Sequence, residues 1–321
     1  MVEDKRTGNT LLSFKQLNPD RTNSHRPSAA GTALAVAFAV GLSLLGAPRS
    51  DASSTTVKVA SFNVDSAWRD VSQPEIPNWD LRVVGVKNII NTIKPDVIGI
   101  QEAPNIWIGA RSYTQASDIQ RMTSYALYQP ADGATEPIPI LWRAGRFDLA
   151  AAGYKIFEYR PYPVFGRAMT WVKLKAKATA KEFFVFNTHF EHGVDQQAAR
   201  DSEAAMLSAE ILQVNPGGLP AFVTGDFNAS ASSSAPQTAQ LGAIGYADSF
   251  DGTAARMHSE FKTYNEYTLG VVGSSRIDQV YFAAGNSSVS YWENWLPYGD
   301  QVVGGRPPSD HDLIYTIAAI R

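Results

Sequence analysis

From about residue 55 onward, short apolar runs alternate with turn-forming residues. Val57–Asn63 (VKVASFN) alternates with a period of two, the pattern of a strand with one face on a core. Between Asn78 and Lys94 the apolar residues Val83, Val86, Ile90 and Ile93 are spaced by 3, 4 and 3. That spacing is one face of a helix, and Pro95 closes it, because proline cannot donate the next helical hydrogen bond. Val97–Gln101 (VIGIQ) is a short continuous apolar run, as in a strand buried on both faces. Ile138–Trp142, Phe147–Ala151, Ala168–Leu174, Phe183–Thr188 and Ala221–Thr224 read as further strands, with Lys175–Lys181 as a hairpin loop. Asp195–Gln213, rich in Ala, Gln and Glu, reads as a helix. Arg276–Phe282, Val289–Trp292 and Leu313–Ile320 complete the strands. Strands outnumber helices, and hairpins mix with strand–helix–strand units. Two packed mixed sheets with helices outside would bury both faces of each sheet. No fixed-period repeat and no Pro/Gly/Ser linker divides the chain after residue 52, so residues 53–321 are expected to form one domain.

The N-terminal segment is different. Residues 1–30 are polar with scattered charges, and Gly31–Ala47 then runs 17 residues without one, followed by Pro48, Arg49 and small polar residues. A basic lead, an apolar core and small residues at the exit read as a secretory signal. A short membrane anchor is the alternative, since the run lies at the lower limit of the roughly 20 apolar residues a helical span needs. A buried helix is the third reading. Residues 1–52 are therefore expected to be a signal or anchor segment, and the protein secreted or extracytoplasmic.

Composition narrows the function. With 44% hydrophobic and 18% charged residues among 321, the chain has a globular make-up and not that of a disordered one. There is no cysteine, which excludes disulfides, thiolate zinc sites and a cysteine nucleophile. The whole chain has 28 basic and 31 acidic residues; taking away the six basic and four acidic ones of residues 1–52 leaves 22 against 27. Such a body does not coat nucleic acid through bulk positive charge, but it can grip a few phosphates at one site.

Polar residues stand directly against the apolar runs at strand ends. Asn63 ends the first strand, Gln101 and Glu102 the second, and Asn187, Thr188 and His189 the run VFNTH. Gly225, Asp226, Phe227 and Asn228 follow AFVT, Asp278 lies in RIDQVYF, and Ser309, Asp310 and His311 precede the last strand. Any one of these can be ordinary turn chemistry. Six such events in a chain with five histidines point to a site. Asn63, Glu102 and Asp310 are hard oxygen donors, suited to Mg²⁺ or Mn²⁺ more than to zinc. His189 and His311 could contact a phosphoryl group as it gains charge, and Asp226 could take a proton from water. The combination points to metal-assisted phosphoester hydrolysis.

The motifs SFNV (61–64), IGIQEA (98–103), FNTHFEH (186–192), TGDFNA (224–229), RIDQVYF (276–282) and SDH (309–311) resemble, in order and spacing, those of the endonuclease/exonuclease/phosphatase family. That family includes deoxyribonucleases, apurinic endonucleases, inositol-polyphosphate phosphatases and neutral sphingomyelinases. ILWRAGRFDL (140–149) and GRAMTWVKLK (166–175) are weaker matches to it. The resemblance implies an α/β fold, a four-layer α/β/β/α sandwich of two mixed β-sheets flanked by helices, with the site at one sheet edge. It implies Glu102 as the main metal ligand, supported by Asn63 and Asp310. It implies His189 on the scissile phosphate, Asp226 positioning or deprotonating water, and Asn228 orienting the phosphate. His311 would be held by Asp278, with either Asp226 or His311 as proton acceptor, and Arg167 would contact phosphate. Glu191 and His192 would support the site or stand by, and His258 matches nothing and is expected at the surface.

The leading expectation is a secreted nuclease-like phosphodiesterase using Mg²⁺ (or Mn²⁺), a monomer with no stable protein partner. A sphingomyelinase-like phospholipid phosphodiesterase is the alternative, since SVSYWENWLPYG (288–299) carries Tyr291, Trp292, Trp295 and Tyr298 where bacterial sphingomyelinases have an aromatic hairpin. The competing reading packs these aromatics on the sheet edge. A 5-phosphatase is disfavoured by the lack of a Lys/Arg-rich insertion. A non-catalytic binding protein on the same scaffold is the remote alternative, set against the presence of Glu102, His189, Asp226 and His311.

Overall fold

A computed structural model of the chain describes residues 54–108, 111–130, 137–158 and 166–321. The signal or anchor expected at residues 1–52 lies outside them. The elements run Thr55–Asn63 (β1), Arg69–Ser72 (α1), Trp79–Ile93 (α2), Val97–Gln101 (β2), Asn105–Ile108 (β3), Arg111–Thr114 (β4), Gln115–Thr123 (α3) and Ala126–Tyr128 (β5). They continue with Ile140–Trp142 (β6), Phe147–Ile156 (β7), Ala168–Ala176 (β8), Glu182–His189 (β9), Gln197–Val214 (α4), Ala221–Asp226 (β10) and Pro236–Ala243 (α5). Tyr246–Asp248 (β11), Arg256–Met257 (β12), Asp278–Ala283 (β13), Ser287–Trp295 (β14) and Leu313–Ile320 (β15) complete them.

One sheet has the order β12-β14-β15-β1-β2-β6-β5 and the other β11-β13-β10-β9-β8-β7. Each is mixed: β1 and β2 are parallel, as are β9 and β10, while the pairs β1–β15 and β10–β13 are antiparallel. The period-two reading of the first strand holds. Val57 and Val59 join Val185, Phe222 and Val280 in the core between the sheets. Ala60 and Phe62 point the other way, onto Val83, Val86 and Ile90 of α2. On the far side, Leu207 and Ile211 of α4 and Leu241 of α5 cover Phe186, Val223 and Tyr281. The layers are therefore α/β/β/α.

Local chemistry explains the boundaries. Asn78 Oδ1 accepts from Leu81 N at 3.4 Å at the start of α2, and Lys94, left-handed at φ 51°, ends it before Pro95. β7 extends to Ile156, five residues beyond the expected end, because a bulge between Leu149 and Ala151 interrupts the alternation on a mostly exposed edge strand. The short elements β3, β4, β5, β11 and β12 and the helices α3 and α5 have too few residues for a period to show.

The sheets are stapled by a buried amide. Asn187 Nδ2 donates to Ile100 O (2.7 Å), Ile138 O and Pro139 O (both 3.2 Å) across the interface. Its Oδ1 accepts from Gln101 Nε2 (2.7 Å) and Thr224 Oγ1 (3.0 Å). Gly99 lies opposite: a Cβ there would fall 2.0 Å from Thr224 Oγ1 and 2.4 Å from Asn187 Oδ1. Gly99→Ala is expected to force the sheets apart at a cost of about 1–3 kcal/mol. Thermal unfolding should then show a Tm lowered by several degrees; an unchanged Tm would contradict this close approach.

Candidate active site

The sheet registers gather the site. Asn63 pairs with Gln101 across β1 and β2, which places Glu102 just beyond the same edge. Asp226 pairs with His189 on one side and with Asp278 on the other. Asp310 and His311 lead into β15, antiparallel to β1, so they enter at that edge too. Strand ends far apart in sequence thus meet in one place.

Asp226 is the hub. Its Oδ2 accepts from Asn63 Nδ2 at 3.1 Å and lies 3.4 Å from His189 Nε2 and 3.7 Å from His311 Nε2. Its Oδ1 accepts from Asn228 N at 2.9 Å. Asn228, held left-handed at φ 48°, places Nδ2 3.0 Å from His189 Nε2 and donates to Phe190 O at 2.9 Å. Asn63 Nδ2 also donates to Glu102 Oε1 at 2.9 Å, while Ser66 N donates to Glu102 Oε2 at 3.2 Å. His311 Nδ1 donates to Asp278 Oδ2 at 2.9 Å, which turns Nε2 toward Asp226.

The environments set the two imidazoles apart. Burial, reinforced by the Arg167 guanidinium, pushes His189 down to about 4, so it is neutral at neutral pH. Burial would lower His311 as well, but the Asp278 and Asp226 carboxylates outweigh it and hold it well above the usual imidazole range. Burial raises the Asp226 carboxyl against the pull of both histidines. Glu102 goes the other way, down to about 2: the neighbouring His189, the Asn63 hydrogen bond, His311 and Arg69 overcome the effect of burial. One cationic and one neutral imidazole beside one carboxylate are the pieces of an acid–base site.

Several residues were not read from the sequence. Asp65, fully buried and left-handed at φ 56°, takes a hydrogen bond from the Tyr267 hydroxyl and lies 2.9 Å from Arg69 Nε. Arg69 Nη2 reaches Asp310 Oδ2 at 3.0 Å. Arg82, also fully buried, donates to Val64 O (2.7 Å) and Asp65 O (3.2 Å) and so fixes the turn after β1. A signal was present: Arg82 is a charge among Trp79, Val83 and Val86 on the buried face of α2.

Arg167 lies beside the site, with Nη2 3.2 Å from Glu191 Oε1 and 3.4 Å from His192 Nδ1. Glu191 is buried, whereas the His192 side chain is 73% exposed. His258 lies at the surface as expected, its side chain 34% exposed, with Nδ1 3.1 Å from Asn294 O and 3.5 Å from Glu293 Oε1. The aromatics of 291–298 form no hairpin of their own: Trp292 is fully buried between the sheets, Trp295 Nε1 donates to Gln301 Oε1 (2.9 Å), and Tyr291 donates to Glu293 Oε2 (2.7 Å). Tyr298 alone of the four is largely exposed.

The carboxylates of Glu102 and Asp310 suit a hard divalent cation, whereas Asn63, expected as a ligand, turns its Nδ2 to Glu102 and Asp226 while its Oδ1 accepts from Asp65 N at 3.0 Å. Asp310 is buried; burial and the like charge of Glu102 both raise its carboxyl. Asp65 is pushed up to about 7 by burial and by Asp310. A cation would relieve this crowding of carboxylates, and no thiolate competes for it. Among the described residues, the ligand atoms that lie within 4.8 Å of one another belong to Asp226, Asp278 and His311.

Two mixed sheets with carboxylates, amides and imidazoles at one edge define the class: an α/β/β/α sandwich with a polar site at the sheet edge. The sequence profile of the Endonuclease/Exonuclease/phosphatase family matches residues 60–311, and the chain belongs to that family. Its enzymes act on phosphoester bonds and are generally dependent on divalent metals. A search of curated protein sequences finds no match. Among solved structures, a Bacteroides thetaiotaomicron protein of the same family is similar at 22% identity and TM-score 0.69, over 84% of this chain and 99% of that one. A mannosyl-6-phosphatase of Bacteroides thetaiotaomicron matches at 22% identity and TM-score 0.68, over 83% of this chain and 100% of its own. Caenorhabditis elegans TDP2 matches at 18% identity and TM-score 0.59, over 83% and 98%.

Proposed function

We propose that the protein is a divalent-metal phosphoester hydrolase acting on a compact phosphorylated substrate. The observation that carries this is Asp226 Oδ2, which lies within hydrogen-bonding or near-contact distance of Asn63, His189 and His311 together. In this reading the phosphate sits against His189, Asn228 and His311. Asp226 takes a proton from the attacking water. His311, kept protonated by Asp278, meets the oxygen on which charge develops, where a fixed donor has its largest effect. Glu102 and Asp310 would hold Mg²⁺ (or Mn²⁺), with Asn63 Nδ2 fixing Glu102 Oε1, and the ion supplies Lewis-acid charge for a phosphoryl oxygen when bound.

One observation favours a compact substrate. Among the described residues, Arg69 and Arg167 beside the site already lie on carboxylates and are poorly placed to track a long polyanion. A nuclease is the second reading, favoured by the likeness to TDP2, one of whose zebrafish structures holds a single-strand DNA product. Nitrophenyl phosphate, bis-nitrophenyl phosphate, a hexose 6-phosphate, plasmid DNA, RNA and sphingomyelin form the test panel. The proposal expects the monoesters to turn over fastest; faster cleavage of DNA or of the bis-ester would favour the nuclease, and no turnover on any of them would overturn both. We further propose export through residues 1–52. N-terminal sequencing of protein from the medium should find a start shortly after Ala47 or Ala52, and intact chain confined to membranes would contradict it.

A further inference from the structure

The loop between β12 and β13 lies over Asp310 and His311 and is tied to their backbone. Thr263 O accepts from Asp312 N (2.8 Å), and Asn265 N and Glu266 N both donate to Asp310 O (2.7 and 3.2 Å). Asn265 Nδ2 donates to Asp312 Oδ1 at 2.8 Å, and Tyr264 forms an antiparallel bridge with His311. Two successive left-handed residues follow, Glu266 (φ 52°) and Tyr267 (φ 59°). Neither is glycine, so the turn is strained, and strain of this kind is held where the surroundings over-determine it. Here it is held by Tyr267 N donating to Asn265 Oδ1 (2.8 Å) and by the Tyr267 hydroxyl on Asp65.

This framework fixes Tyr264. Its ring centroid lies 4.9 Å from that of His311, tilted by 55°. Tyr264 is half-buried beside the His311 imidazole. The hydroxyls of Tyr125, Tyr267, Tyr281, Tyr291 and Tyr315 each hydrogen-bond to a protein group. Among the described residues, none bonds to the hydroxyl of Tyr264. A rigidly held aromatic ring with an available hydroxyl, at the edge of a phosphate site, offers an apolar face and a polar handle side by side.

A sugar ring has the matching surface: C–H groups on its face and hydroxyls on its rim. We propose that Tyr264 is a specificity-determining residue, on whose ring packs a sugar esterified to the bound phosphate while its hydroxyl meets a sugar hydroxyl. The inference rests on the phosphoester-hydrolase reading and goes beyond it by naming what the phosphate is attached to. The sugar could be that of a free sugar phosphate or of a nucleotide, and the substrates tested distinguish the two.

The test compares kcat/KM for a ring ester and an acyclic ester of the same type, in the wild type, Tyr264→Phe and Tyr264→Ala. Hexose 6-phosphate against glycerol 3-phosphate serves for monoesters, and a dinucleotide against glycerophosphoglycerol for diesters. Loss of the ring in Tyr264→Ala should lower the ring-to-acyclic ratio by roughly five- to tenfold, the scale of one aromatic stacking contact. Tyr264→Phe should keep most of that ratio. A fall in the monoester pair assigns a free sugar phosphate, and a fall in the diester pair assigns a nucleotide sugar. Proportionate losses for ring and acyclic esters would overturn the proposal, because Tyr264 would then merely support His311. If the wild type hydrolyses no ester with Mg²⁺ or Mn²⁺ present, the hydrolase reading itself fails and takes this inference with it.

Discussion

Asp226→Asn is expected to lower turnover by about 10²–10⁴, the range for losing a positioned general base. The substitution keeps shape and an oxygen that can accept from Asn228 N, as Oδ1 does at 2.9 Å. What it removes is the charge that attracts a proton and balances His311. Steady-state turnover with saturating metal checks this. A loss below tenfold would mean that another group takes the proton.

The second large effect concerns His311 and its partner. His311→Ala removes a donor aimed at developing charge, a loss of about 10²–10³ in turnover. Asp278→Asn leaves the imidazole in place but removes the carboxylate that holds Nδ1 at 2.9 Å and keeps the ring cationic. It should therefore behave as a milder His311→Ala. In the double variant, turnover should fall no further than in His311→Ala, because residues that act as a unit are not additive. If the two losses multiply instead, the pairing carries no catalytic weight, whatever the geometry.

Much of this was legible in the chain itself. The ends of α2 were readable because Asn78, Lys94 and Pro95 are local signals. The site residues were readable because each stands where an apolar run stops, and a strand end is where a side chain leaves the core. Residues whose role depends on distant partners were not readable. Asp65 becomes part of the site through Tyr267, 202 positions away, and Arg69 through Asp310. Asn187 looked like one more strand-end amide, yet it faces the other sheet as a staple, which only the packing of two layers could reveal. Trp292 had the sequence of a device for lipid and the position of a core residue, because β14 turns that face toward the sheet interface. Tyr264 carried no sequence signal, since its place beside His311 is created by the loop bridge.

In the proposed hydrolase Glu102 and Asp310 hold a divalent cation, with Asn63 fixing Glu102, for ester hydrolysis at Asp226. The most direct measurement is phosphoester hydrolysis by protein stripped with EDTA and then titrated with Mg²⁺, for the wild type and Glu102→Gln. The stripped wild type should be inactive and recover fully with Mg²⁺, and Glu102→Gln should need a higher Mg²⁺ concentration for half-recovery. Full activity in EDTA, or the same Mg²⁺ requirement in both proteins, would contradict the account.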